Sequence, residues 1–589
     1  MEVNRRSRRC EDFFCIVIAV FAAVLLTLIT YYNAKMTAVF VDWEVVWYIA
    51  DRPWLHVLLF LLLVGSLCLF QRTETARRIN RWLENDRHYR GLRCALLAAI
   101  VAVAALWVIC TQFTPGVDEY EMQEYVYEYL HGDYSAFRNT FDNNWLPDMA
   151  RYANNRGLFL FYLMTTPLLG ARNYLACEVI NAFAAGLFWR SAANIGGKLG
   201  LRRSGVIAVL LFGLCYFPIN GYSIMVYGNL MSLALSAASV DQTLAFFENR
   251  KQSTALWAAI LISCAVLLKN NAMIWLIAIF LTAAVKLCED KEIRVKTTAF
   301  LLALILGFVL QQTVPSAYLR HKTGYPLDNA SSPLVWVAMG LSDGDGRGNP
   351  GWWNQFDQKS YREAKFQTEK QKELAVENIK ESLRKFSTSP FYTFMFFSRK
   401  LVCTWANPTF QVLKTVRNGS NIEVPDWVTG LLDVRGQDEF SDVYNYFSGF
   451  LLAGALCELI LGYRKKPEEM ILPMIFVGGV LFLLVWETKP RYALLYFSAL
   501  IPYAFLGYAH LTEAAAKYVQ MDKTGRKAAF RTSLGRCLLP ICICMITLIS
   551  CMVLYAGARE EVLTVNTEKY QLYLEKEART VFGEIKDLE

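Results

Sequence analysis

Charge is scarce in this chain. Only 19% of its 589 residues are Asp, Glu, Lys or Arg, against roughly 25% in soluble proteins, which argues against a cytosolic multidomain enzyme. Nucleotide-handling signatures are missing as well: no P-loop, dinucleotide glycine pattern, Gly-x-Ser-x-Gly elbow or His-Glu-x-x-His stands at a meaningful position. A nucleotide-consuming enzyme is disfavoured accordingly. Histidine numbers five, with no pair where a metal site would form, and the pattern assigns no cofactor and leaves a divalent metal undecided. The fifteen cysteines lie almost entirely inside apolar stretches without disulfide or metal spacing, so they read as small buried hydrophobes.

Hydrophobic residues, by contrast, make up 55% of the chain. They gather into blocks of about 17 to 22 residues, the length that crosses a hydrocarbon core of about 30 Å. The expected class is an all-α polytopic membrane protein whose first partner is the lipid bilayer. The net charge of +8 is then read by location, and no nucleic-acid partner is expected.

Thirteen crossings are expected, near 13–32, 54–70, 94–113, 172–194, 205–219, 222–245, 254–268, 271–288, 297–313, 443–463, 470–486, 491–510 and 534–556. Arg5, Arg6, Arg8 and Arg9 precede the first, which keeps the N-terminus cytoplasmic. The first block is long and no small-residue cleavage site follows, so it reads as an uncleaved anchor. Residues 72–93 carry seven arginines against three acids, and Arg202 with Arg203, Arg250 with Lys251, 291–296, 464–466 and 517–531 are basic on the same side. The apolar stretches 158–169 and 391–402 are too short to cross and read as interfacial or re-entrant helices.

With short cytoplasmic turns, the chemistry is expected on the outer face, in loops 114–157, 314–390 and 406–442. Lys269, Glu458 and Glu487 stand at block ends, where they snorkel or face water, so an ion path through the helices is not supported. The first outer loop holds eight acids against three arginines. Within it Met122, Val126, Tyr129 and Leu130 recur at helical spacing, with Glu121, Glu124 and Glu128 on another face. Asp118 has two readings there: a helix N-cap with Glu121 as its capping-box partner, or a carboxylate at the membrane boundary that acts as a general base.

The run Pro115 to Phe137, with Asp118-Glu119, Tyr120 and Gly132-Asp133-Tyr134, resembles the first outer loop of GT-C glycosyltransferases. These include protein O-mannosyltransferases and aminoarabinose transferases that use polyprenyl-phosphate sugars. Tyr152-Ala153-Asn154-Asn155-Arg156-Gly157 is similar to that family's lead into an interfacial helix, and Glu487-Thr488-Lys489-Pro490-Arg491-Tyr492 to its charged Arg-Tyr element. The pattern departs in two ways: two helices precede the acidic motif, and Asn154-Asn155-Arg156 stands where consecutive prolines are common.

The resemblance implies an inverting transferase that moves a sugar from a polyprenyl-phosphate donor to an outer-face glycan, lipid or protein acceptor. It implies Asp118 as the base with Glu119 beside it, and Arg491, Lys489, Arg151 and Arg156 as donor-phosphate ligands. Tyr120, Tyr152, Asn154, Asn155 and Tyr492 are the implied substrate contacts. Trp352 and Trp353, closing the glycine-rich stretch 340–351, offer flat faces to a sugar or lipid, or else belong to an interfacial aromatic belt. A calcium-loop reading of Asp343 and Asp345 fails, because Asn354 stands where a bidentate Glu is needed. Residues 359–386 read as one exposed amphipathic helix. The alternatives from other classes are a flippase or exporter of lipid-linked saccharide and a polysaccharide polymerase or ligase.

The expected organisation is an N-terminal two-helix addition (1–93), a catalytic module (94–510) and a C-terminal part (511–589) with an outer tail. A bacterial plasma membrane is the expected location.

Overall fold

A computed structural model describes residues 2–42, 45–138, 148–287, 291–343, 349–414, 417–462 and 466–557. The expected tail from 558, the glycine-rich stretch 344–348, Asp142, and Arg464 with Lys465 lie outside the described residues.

Where they are described, the thirteen apolar blocks are mostly helical, in one or two pieces. Among the described residues eight helices are long and apolar enough to cross a membrane, and ten if each of two bent pairs counts as one, against the thirteen crossings expected. The helix Pro53–Phe70 buries none of its residues against protein. An apolar helix that leaves this much of its surface uncovered is suited to lipid, because its backbone bonds are satisfied internally and its side chains need no water. At the opposite extreme, Asn229–Asn249 is 78% buried across its apolar window and runs through the middle of the bundle. Around it the largest fully buried side chains include Trp189, Trp275, Tyr222 and Tyr496. The first helix, Glu2–Lys35, packs against Val434–Gly462, Ile471–Val485 and Lys523–Gly557, joining the two ends of the chain.

The two bent pairs depart from the expected straight crossings at 205–219 and 491–510. Arg203–Cys215 turns by 63° into Phe217–Ile224, and Pro490–Phe497 turns by 48° into Leu500–Gln520. Pro218 and Pro502 stand in the first turn of each second piece, where a missing N–H and the fixed ring disfavour continuing the preceding helix.

The short helices are found. Arg156–Leu169 and Pro390–Trp405 occupy the two stretches read as interfacial. The single helix expected over 359–386 is instead two, Phe356–Glu363 and Thr368–Thr388, because Lys365 and Phe366 both take positive φ between them. The chain is also not purely helical. Met36–Asp42 pairs antiparallel with Val45–Ala50, Met36 opposite Ala50, where alternating Val, Phe, Trp and Tyr suit a half-buried ribbon. Phe113–Pro115 pairs with Arg417–Ser420.

Candidate functional site

The acidic pair is aimed by its backbone. Strand Phe113–Pro115, braced by Arg417–Ser420, delivers the chain to Gly116, which begins the helix Val117–Leu130. The N-cap is therefore Gly116, without a side-chain cap bond, and Asp118 lies inside the first turn. This overturns the capping-box reading of Asp118 and Glu121. Val117 holds φ +49°, a conformation a β-branched residue adopts at a cost of about 1–3 kcal/mol, and such strain gathers at functional sites. Along the helix Met122, Val126 and Tyr129 are buried as expected, whereas Leu130 is exposed.

Glu119 is buried. Burial pushes its carboxyl up to about 7; Arg491 opposes the rise and Asp118 adds to it, with Lys269 also opposing. Lys269 stands in the turn between the helices Gln252–Leu268 and Asn270–Lys286. Its amine is pushed down to about 7 by burial and by Arg491, while Asp118, Glu119 and Glu487 favour its charge. Two acids from one helix start, Lys269 from a turn, Arg491 from the first turn of Pro490–Phe497 and Glu487 thus act on one another electrostatically.

Packing seats Lys269. Its Nζ lies 3.7 Å from the centroid of the Tyr227 ring, and the Tyr227 hydroxyl accepts a hydrogen bond from Asn155 Nδ2 at 2.9 Å. Gly157 allows this: a Cβ there would stand 2.2 Å from the Leu267 carbonyl oxygen, so only glycine lets the helix Arg156–Leu169 lie against the backbone before Lys269. Arg491 is seated from the other side. Its backbone N–H donates to Gln411 Oε1 at 3.4 Å, and its guanidinium lies 5.5 Å from the Tyr492 ring. Arg491 Nε is buried and, among the described residues, has no hydrogen-bond partner.

Lys269, Arg491 and Tyr492 border a partly open pocket with Asn229 and Asn271; its apolar lining is Leu230, Leu233, Leu494 and Leu495. Two cationic side chains and four leucines in one lining suit an amphiphile with an anionic head. Among the described residues no three His, Cys, Asp or Glu side chains converge to hold a metal ion.

Other expected site residues lie elsewhere. Arg156 is buried and spends its guanidinium on the Met149 and Ala150 carbonyls and on Ser316 Oγ, at 3.0 to 3.1 Å. It is a tie between segments. Arg151 is buried with its guanidinium 4.0 Å from the Tyr152 ring. Tyr152 and Trp353 both donate to the Asp357 carboxylate, the latter at 3.0 Å, and so bind the second outer loop together. Trp352 is 2% exposed, stacks on Phe40 and donates to Cys403 Sγ at 3.3 Å; its faces are not free for a sugar. Lys489 Nζ lies 5.7 Å from that same ring. Tyr120 is exposed beside Tyr174, and Asn154 donates to Asn155 Oδ1 at 3.0 Å. Lys269 and Glu487, set aside in the sequence as block-end residues, belong to the cluster. The signal available was their common expected side: the loop-charge reading puts the turns near 118, 222, 269 and 487 together on the expected outer face.

A family model described as "conserved hypothetical integral membrane protein" matches residues 13–512. No curated protein matches the chain. Among solved structures it is similar to the oligosaccharyltransferase of Archaeoglobus fulgidus in the apo form, at 14% identity and a TM-score of 0.37, over 81% of this chain and 59% of that one. It is also similar to the archaeal oligosaccharyltransferase AglB from Archaeoglobus fulgidus in complex with an inhibitory peptide and a dolichol-phosphate, at 14% identity and a TM-score of 0.38, over 84% and 60%. The chain spans about three fifths of the length of those proteins.

Proposed function

The chain belongs to this family of integral membrane proteins, and we propose that it is a GT-C-type glycosyltransferase moving a sugar from a polyprenyl-phosphate donor to an acceptor on the extracytoplasmic face. The observation that carries the reading is the meeting of acid, cation and apolar cavity. Asp118 and Glu119 share an electrostatic cluster with Lys269 and Arg491, and those two cations border a cavity walled by leucines.

In this reading the donor phosphate lies against Arg491 and Lys269, with the first part of its chain along Leu230, Leu233, Leu494 and Leu495. Arginine suits the phosphate because its planar fork can donate twice, and Arg491 Nε is a buried donor without a protein partner. Asp118 takes the proton of the acceptor hydroxyl, whose oxygen attacks the anomeric carbon from the face opposite the phosphate. The bond from that carbon to the phosphate oxygen breaks with inversion, and the lipid monophosphate leaves with the electron pair. The charge it gains is offset by cations already in place, which is where preorganised electrostatics contribute most. Lys489, one residue before the Pro490–Phe497 helix, adds positive potential at the outer boundary. The orientation that holds Arg5 to Arg9 and the 72–93 arginines in the cytoplasm sets the cluster on the outer side, as in a bacterial plasma membrane.

The test is incubation of the purified protein with radiolabelled polyprenyl-phosphate sugars and host membrane extract. Label passing into a glycan, lipid or protein acceptor with wild type but not Asp118→Asn supports the reading. Transfer by Asp118→Asn at the wild-type rate would falsify the assignment of the base.

A further inference from the structure

Lys400 is the most deeply buried lysine near the cluster and takes no part in the chemistry above. It lies on the helix Pro390–Trp405 and is 1% exposed. Its Nζ donates to three backbone carbonyls: Gly340, Leu484 at 2.9 Å and Trp486 at 2.9 Å. An ammonium has three N–H groups and no acceptor, so the charged form fills this cage, whereas a neutral amine would leave one carbonyl short of a donor. Gly340 and Leu484 stand at the C-terminal ends of Leu334–Gly340 and Ile471–Val485. There the last carbonyls lack helical partners and carry the negative end of the dipole, which favours a cation.

The cage is one end of a larger clamp. Trp486 is followed by an extended segment, through Lys489, that carries Glu487 and leads into Arg491. Glu487 N–H donates to the Trp336 carbonyl at 2.9 Å and Thr488 N–H to the Gly351 carbonyl at 2.9 Å. The Thr488 hydroxyl meets that of Thr404 at 3.0 Å, and Thr404 lies one helical turn beyond Lys400. Gly351 takes φ +76°, and a Cβ there would stand 2.5 Å from Lys400 Cε, so the loop turns directly against the lysine stem. Burial opposes the charge and pushes the amine down to about 7, while Cys403 and Glu487 act the other way.

We infer that Lys400 is a positioning residue: its ammonium draws two helix ends and the second outer loop around Trp486–Lys489, and so sets where Glu487 and Arg491 stand in the anion site. The use of that site rests on the reading above, whereas the clamp does not. A lysine that only filled space would be replaced by a nearly isosteric methionine without loosening one particular segment.

The test uses the full-length protein in lipid nanodiscs as wild type, Lys400→Met and Lys400→Arg, with hydrogen exchange read at residues 484–492 and binding read with undecaprenyl monophosphate. Lys400→Met is expected to speed exchange at Glu487 and Thr488 at least tenfold, with the helix Asn229–Asn249 unchanged, and to weaken lipid-phosphate binding at least tenfold. Lys400→Arg, which keeps charge and donors, is expected to recover part of both. Unchanged exchange at Glu487 and Thr488 in Lys400→Met overturns the inference, and so does faster exchange with undiminished binding. If wild type binds no lipid phosphate while Lys400→Met still loosens the segment, the donor reading fails and the clamp stands. Should Lys400→Met not fold, Gly351→Ala, which presses a methyl into the lysine stem, must loosen the same segment; if it does not, the inference is wrong.

Discussion

Glu119 and Lys269 reach one electrostatic cluster from different parts of the chain, and burial drives their titrations toward each other, the acid up and the amine down, each to about 7. Neither charge is at ease there alone. A site of this kind is relieved by a ligand that brings opposite charge to the cation.

The pair gives a pH signature. Glu119 is raised in the folded protein, so the folded state holds more protons than the unfolded chain between about 4.5 and about 7, and stability falls as pH rises through that window. Lys269 is lowered, so above about 7 the unfolded chain holds more protons and stability rises toward about 10.5. Thermal unfolding in detergent across pH 5 to 10 is expected to show a shallow minimum near 7. Glu119→Gln should flatten the acid limb and Lys269→Met the alkaline limb. An unchanged profile in both variants refutes the burial argument.

Removing the base is expected to cost far more rate than affinity. Asp118→Asn should lower turnover about 10²- to 10⁴-fold, the range typical of general-base loss, with donor KM changed less than threefold. A large rise in KM at nearly constant kcat would make Asp118 a binding residue instead.

Arg491 should not tolerate lysine. A point charge cannot reproduce a planar fork whose Nε is a donor, so Arg491→Lys is expected to weaken undecaprenyl monophosphate binding at least tenfold, and Arg491→Ala further. Equal affinity of wild type and Arg491→Lys, by equilibrium dialysis in nanodiscs, contradicts bidentate recognition.

Gly157→Ala tests how the lysine is seated. Its methyl would stand 2.2 Å from the Leu267 carbonyl oxygen, an overpacking that typically costs about 1–3 kcal/mol. The melting temperature should fall, and exchange at the Lys269 amide should rise more than exchange in the helix Val434–Gly462. A variant as stable as wild type, with Lys269 unmoved, would contradict the tight approach.

Much of the architecture is legible in the one-dimensional pattern because a bilayer asks a simple question of each segment. Apolar blocks of crossing length mark the long helices, and 12-residue runs such as 158–169 mark short ones. The bends at Pro218 and Pro502 were less legible, since hydropathy averages over the break. The hairpin of Met36–Asp42 with Val45–Ala50 was hidden beside long helices.

For the proposed site, local pattern singles out Asp118, Glu119 and Arg491, whose residue types stand in short motifs at the ends of apolar blocks. It does not show how Arg156, Trp352 and Lys269 are packed, because sequence shows a side chain's chemistry and not what surrounds it. Arg156 looks like a phosphate ligand until the Met149 and Ala150 carbonyls are seen to occupy its donors. Trp352 looks like a sugar platform until Phe40 lies on its face. Lys269 looks like a snorkelling block-end residue until Tyr227 and Gly157 are seen to hold its turn inside the protein. Hydropathy and charge depend on neighbours a few residues away and are written along the chain. Whether a cation is spent, free or displaced in its titration depends on groups hundreds of residues distant, which only the tertiary packing brings within reach.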